Sequence, residues 1–271
     1  MSVGYMTNAF GPLVGAGGGV TSVKDIRYVT MGDEESIVRK ISSCGFHSIE
    51  IFDGNLMKYE DSQKEFLQML KNNDSSLLGV YIGANFIYKD ALPDELYRIE
   101  RVSKLAEQLG ARHIVLGGGA IRAAGIQNDD YALLADGLDK ANAIVKKYHL
   151  IASYHPHLGS ITEHPDAIDR VFALTDIPFC PDLAHLAAGG CDTLATVKKY
   201  RDRIRYVHLK DLNHGEFSPL GKGQLPLSEI IDFMKQTDFQ GDWLVEVDGY
   251  SGDPCEACCT SYHFLKDKLD V

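Results

Sequence analysis

Apolar residues in this chain follow two periods in turn. Short runs in which they alternate or stand together predict strands at residues 3–10, 47–53, 77–84, 113–116, 150–154, 178–183, 204–209 and 243–247. Between them, apolar positions return every three or four residues. That spacing predicts helices over 33–44, 64–72, 92–109, 129–148, 166–174, 194–200 and 227–234, with a closing helix over 254–269. The punctuation agrees. Acids at Asp33-Glu34-Glu35 and Asp129-Asp130 stand where a helix dipole favours them, and Gly45 and Gly110 follow last turns.

Strands that alternate with helices need crossover connections, and hence a parallel sheet. Eight such units predict an α/β protein, a single (β/α)8 TIM barrel spanning residues 1–271. A doubly wound open sheet is the alternative, but it would carry fewer strands and a clear switch-point loop. The run Gly15-Ala16-Gly17-Gly18-Gly19 lacks the last glycine of G-x-G-x-x-G, and no helical pattern starts directly behind it. It reads as a mobile loop.

Composition narrows the partners. The formal charge is −11, and the basic residues are scattered along helices rather than clustered, so neither nucleic acid nor an anionic membrane is expected. No apolar run approaches membrane-spanning length, and the first residues lack a signal-peptide pattern, which predicts a cytoplasmic protein. Six cysteines are too few for a disulfide scaffold. Cys44, Cys180 and Cys191 read as small apolar residues. The closer set of Cys255, Cys258 and Cys259 reads as helix packing, with a zinc or redox site as the lesser alternative.

Charged groups and imidazoles gather where strands end. Glu50 lies near the end of the second, and His155, His157 and then Glu163 follow the fifth in Y-H-P-H-L-G-S-I-T-E. Asp182 and His185 share C-P-D-L-A-H, His208 and Lys210 share Y-V-H-L-K-D, and Glu246 sits in L-V-E-V-D. Residues two apart on a strand share a face, so His208 pairs with Lys210 and Glu246 with Asp248. Taken singly, His208 is a satisfied core histidine, Asp182 a helix cap and Glu50 half of an ion pair. A carboxylate inside W-L-V-E-V-D is harder to dismiss. Together, Asp182, His208 and Glu246 predict one shared site. Like charges that converge need a cation, and a mixed carboxylate–imidazole set suits Mn²⁺, Mg²⁺, Co²⁺ or Fe²⁺.

These blocks also carry a resemblance. H155-P-H-L-G-S-I-T-E163, P181-D-L-A-H185, R205-Y-V-H208-L-K-D211 and W243-L-V-E-V-D248 are similar to the xylose-isomerase-like superfamily. Within it they resemble the sugar phosphate isomerase/epimerase group, with inosose dehydratases, ketose 3-epimerases and hydroxypyruvate isomerases. The resemblance implies one divalent cation, Mn²⁺ first and Co²⁺, Mg²⁺, Fe²⁺ or Zn²⁺ as alternatives, held by four side chains. Asp182, His208 and Glu246 carry over as ligands; Glu163 is the fourth, with His155 or His157 as its rival. Glu163, Glu246, His157, His155 and Lys210 are the candidate catalytic residues. Glu50, His185 and Asn8 are candidates to bind substrate.

The implied activity is that of a metal-dependent isomerase or epimerase acting on a keto-sugar or related polyol through a metal-held enediolate. A dehydratase or lyase acting on a keto-cyclitol or keto-glycoside shares its first step and is the alternative. An abasic-site endonuclease and a non-catalytic sugar-binding barrel rank below both. The expected partner is a small sugar or polyol, and a homo-oligomer stays open.

Overall fold

The computed structural model describes residues 1–10, 13–15 and 22–269, with backbone alone for 13–15. Seven strands form its main sheet: β1 (Val3–Met6), β2 (Ser48–Phe52), β3 (Ser76–Ala84), β4 (His113–Gly118), β5 (Ile151–His155), β6 (Tyr206–Leu209) and β7 (Asp242–Val245). Their order is β5-β4-β3-β2-β1-β7-β6, and every pairing is parallel.

The open edges of that sheet meet through residues 178–182, the eighth predicted strand. Phe179 bridges Tyr154 of β5 and Ile204, and Asp182 bridges His208 of β6. This segment closes the barrel without becoming a regular strand. Pro178 and Pro181 have no N–H to give the ladder, so their carbonyls accept instead, from Tyr154 N at 2.8 Å and His208 N at 2.9 Å.

The helices are α1 (Glu34–Ser43), α2 (Asp53–Met57), α3 (Gln63–Asn72), α4 (Leu92–Gln108), α5 (Asp130–Lys146), α6 (Pro165–Phe172), α7 (Leu183–Ala188), α8 (Thr193–Tyr200), α9 (Leu227–Gln236) and α10 (Pro254–Leu269). Asp33 caps α1 by accepting from Ser36 N at 2.6 Å, and Gly45 follows the helix at φ 115°. The first predicted strand is shorter than expected, because Thr7–Phe10 turns into a 3-10 helix. Helices α2 and α7 were not expected. Each follows a strand end directly, and so its start reads as a continuation of the apolar run.

Two short hairpins stand outside the barrel: Leu13–Gly15 with Tyr28–Thr30, and Asp211–Asn213 with Glu216–Ser218. The glycine run after Gly15 lies outside the described residues. The cysteine expectation needs correction. Cys44, at the end of α1, and Cys259 of α10 form a disulfide across a separation of 215 residues. Nothing in the local spacing signals a partner that far away. Among the described residues no helix is long and apolar enough to cross a membrane.

Candidate active site

In a barrel of this kind the loops at the carboxyl ends of the strands surround a common cavity. Here that cavity has a volume of about 760 Å³, and its polar lining includes Asn8, His155, His157, His185, Glu246 and Asp248. His155 ends β5. Glu246 and Asp248 follow β7, and Asn8 follows β1 in the 3-10 turn. Asp182, His208, Lys210 and Glu50 lie one layer deeper, each fully buried.

Lys210 is the hub of the lower layer. Its Nζ lies 2.8 Å from Asp182 Oδ2, 3.2 Å from Glu246 Oε2, 2.6 Å from Asp248 Oδ2 and 3.1 Å from His185 Nε2. His208 Nδ1 lies 2.9 Å from Glu246 Oε2, and its Nε2 lies 3.4 Å from Glu50 Oε1. Asn8 donates its amide to Glu246 Oε1 at 2.9 Å and also to Asp248. Asp182 is at once a helix cap and a cluster member. Its Oδ1 accepts from His185 N at 2.8 Å at the start of α7, while Oδ2 meets Lys210. The cap fixes the carboxylate before any ligand arrives.

Burial and charge compete here. Burial works against the Asp182 anion, yet Lys210 and the surrounding imidazoles hold its carboxyl well below the usual range. Burial opposes the Lys210 cation as well, but Asp182, Asp248 and Glu246 keep it well above its ordinary value. Glu246 moves the other way: burial and then the Asp248 charge push its carboxyl up. Burial, followed by His208, holds His155 well below an ordinary histidine, and burial, followed by His185, brings His157 down to about 4. Both imidazoles are therefore neutral near pH 7.

Several buried atoms here lack a hydrogen-bond partner: both oxygens of Glu50, Nε2 of His208, and Nδ1 of His155 and of His185. Asp182, His208 and Glu246 each offer one ligand atom, and the three atoms lie within 4.8 Å of one another. The sets His155–Cys180–His208 and His155–His157–His185 meet the same criterion.

Most of the expected site residues are thus brought together: Asn8, His155, His157, Asp182, His185, His208, Lys210 and Glu246. Glu163 is not. Its carboxylate accepts from Gly159 N at 2.6 Å, and its side chain is one third exposed outside the cluster. The Gly-Ser bend after His157 folds the chain back, so the imidazoles take the inner positions. Glu50 faces His208 and does not line the cavity. Asp248 was missed as a site residue, although its spacing of two from Glu246 was the available signal. Tyr28, Phe52, Tyr81 and Arg98 also line the cavity. They come from β2, β3, α4 and the first hairpin, and read in sequence as core or ordinary helix positions.

A family model described as xylose isomerase-like TIM barrel matches residues 38–266. An inosose dehydratase of Clostridium perfringens (strain ATCC 13124) is 24% identical over 273 aligned positions, covering 88% of this chain and 90% of that protein. Among solved structures, the probable 3-DHS dehydratase AsbF of Bacillus anthracis superposes with a TM-score of 0.75 at 15% identity, covering 98% of this chain and 99% of that one. The 3-keto-D-glucoside 4-epimerase YcjR of E. coli gives 0.74 at 17% identity, with coverage of 98% and 99%.

Proposed function

The chain belongs to the xylose isomerase-like TIM barrel family, and from that premise we propose a divalent-metal-dependent isomerase or epimerase. It removes and returns a proton beside the carbonyl of a keto-sugar or related polyol. The observation that carries this reading is the convergence of Asp182, His208 and Glu246 ligand atoms within 4.8 Å. The residues fit a cation. Glu50 Oε1 and His208 Nε2 are buried 3.4 Å apart without a hydrogen bond and Glu50 Oε2 has none either, and such atoms cost free energy unless something binds beside them. Carboxylate oxygens with imidazole suit Mn²⁺ first, then Mg²⁺, Co²⁺ or Fe²⁺.

In this reading Asp182, His208 and Glu246 would hold the ion, and His155, which shares a set with His208 alone among these three, is the candidate for the fourth position in place of Glu163. When bound, the ion polarises a carbonyl and acidifies the neighbouring C–H. The side chains do the rest. His157 Nδ1 lies 2.8 Å from Leu158 O, so that nitrogen carries the proton and Nε2 keeps a lone pair free to accept one. Glu246, whose carboxylate lines the cavity, is the second carrier. Inverting a carbon needs one acceptor and one donor on opposite faces, and these two groups supply that pair.

Lys210 balances the carboxylates and steadies negative charge developing on the substrate. His185 and Asn8 orient substrate oxygens; Asn8 Oδ1 is buried and has no partner of its own. A second reading, dehydration of a keto-cyclitol, is favoured by the inosose dehydratase relatives. There His157 would pass its proton to the departing β-hydroxyl.

The test is proton exchange in D₂O with Mn²⁺ present, across ketohexoses, inososes and hydroxypyruvate. Deuterium at the carbon beside the carbonyl, absent with Glu246→Gln, is the expected result. Loss of water with a new enone absorbance selects the dehydratase reading. No exchange with any of them contradicts both.

A further inference from the structure

The cavity is larger than the reaction needs. A six-carbon keto-sugar has twelve heavy atoms, and at a liquid water's ~30 Å³ for each it fills at most about 360 Å³. The cavity holds about 760 Å³. The surplus lies beside the polar wall. The Tyr81 ring meets His155 edge-on at 5.8 Å and continues to Phe52 at 5.5 Å and Tyr28 at 6.1 Å. Val23, Ile26, Ala84, Ala120 and Leu158 add apolar lining to the cavity, and Asn85 and Glu95 add polar lining.

The backbone makes room for two of these rings. A Cβ on Gly117 would lie 1.8 Å from the Tyr81 hydroxyl, and one on Gly83 would lie 2.2 Å from the Tyr28 ring. Glycine at both positions lets the aromatic side chains lie across the neighbouring strands. Among the described residues lining the cavity, Arg98 is the one Lys or Arg. Its guanidinium is engaged by the carbonyls of Ile26 and Gly83 and lies 3.8 Å from Asp53, leaving only Nε unpartnered. That leaves little to hold a phosphate, while one N–H remains for a neutral oxygen.

Resting on the proposed proton transfer, we propose that the substrate is an unphosphorylated keto-glycoside. Its keto ring meets His157, His185 and Glu246, and its aglycone lies against Tyr28, Phe52 and Tyr81. The aglycone has a flat apolar face, which either an aryl group or the C–H face of a second pyranose provides. A blocked anomeric carbon puts the ketone on another ring carbon, beside the C–H that exchanges. The aglycone itself takes no part in that step.

The test compares kcat/KM for α-proton exchange in D₂O, Mn²⁺ present, for the phenyl, glucosyl and methyl 3-keto-glucosides and for a free inosose. Wild type and Tyr28→Ala are measured side by side. The phenyl or glucosyl compound should exceed the methyl one by about ten-fold, and Tyr28→Ala should abolish that preference through KM while leaving inosose exchange within about two-fold. Whichever of phenyl and glucosyl is preferred identifies the aglycone. Equal rates for phenyl, glucosyl and methyl, or a Tyr28→Ala loss shared equally by the inosose, overturn the proposal but leave the proton-transfer reading intact. No exchange with any of the four overturns both.

Discussion

The two ends of the barrel both bury charge, and they do so differently. At the amino ends of the strands, Asp242 is fully partnered. Oδ1 accepts from Ser2 N at 2.7 Å and from Arg112 at 2.9 Å, and Oδ2 lies 2.9 Å from His113 Nε2. The His113 ring stacks on Tyr206 at 4.1 Å. At the carboxyl ends, four carboxylates surround Lys210 and His208, and both Glu50 oxygens lack a hydrogen bond, although Oε1 lies 3.4 Å from His208 Nε2. A satisfied carboxylate holds strands together, although the neighbouring His113 Nδ1 is buried without a hydrogen-bond partner. An unsatisfied one stores unfavourable energy that a ligand relieves.

That contrast predicts opposite responses to losing a carboxylate. Glu246→Gln should lower kcat/KM by about 1,000-fold, since in the proposed reading it removes both a ligand and a proton carrier, while the protein remains folded by circular dichroism. Asp242→Ala should cost about 3 kcal/mol in urea denaturation, because His113 is left buried against an empty site. Its folded fraction should keep kcat/KM within about two-fold, because Asp242 itself bonds only Ser2, Arg112 and His113, even though Tyr206 touches both His113 and His208. A large activity loss without destabilisation in Asp242→Ala would break the comparison.

Asp53 sharpens it from beneath the cavity wall. Burial raises its carboxyl to about 6, against the opposing pull of Arg98 and two backbone N–H groups. The folded state therefore holds this proton more tightly than the unfolded chain. The sign is a loss of stability as pH rises from about 4 to about 6, reaching about 3 kcal/mol from this group. Chemical denaturation across that range should show a decline that Asp53→Asn flattens. The smallest effect is expected at Glu163. Glu163→Gln should leave metal content unchanged and activity within about two-fold, because its carboxylate meets Gly159 N and the exposed His164 and no member of the cluster.

The sequence made the barrel legible because strand and helix periods alternate cleanly and glycines and acids mark the boundaries. It also pointed to Asp182, His208 and Glu246, since charge at the end of an apolar run stands out. The inner position of His155 and His157 against Glu163 was not legible, because it depends on how one Gly-Ser bend turns. The aromatic end of the cavity was hidden for another reason: Tyr81 sits mid-strand and looks like core. The Cys44–Cys259 pairing joins helices at opposite ends of the chain. No local pattern can announce such a contact.

We propose that the unsatisfied end of the barrel is a divalent-cation site. Calorimetric titration of Mn²⁺ into chelator-treated protein tests it most directly, with wild type, Glu246→Gln and Asp242→Ala compared. One ion per chain is expected in wild type and Asp242→Ala, and none in Glu246→Gln. Equal binding by Glu246→Gln, or no binding by wild type, would contradict it.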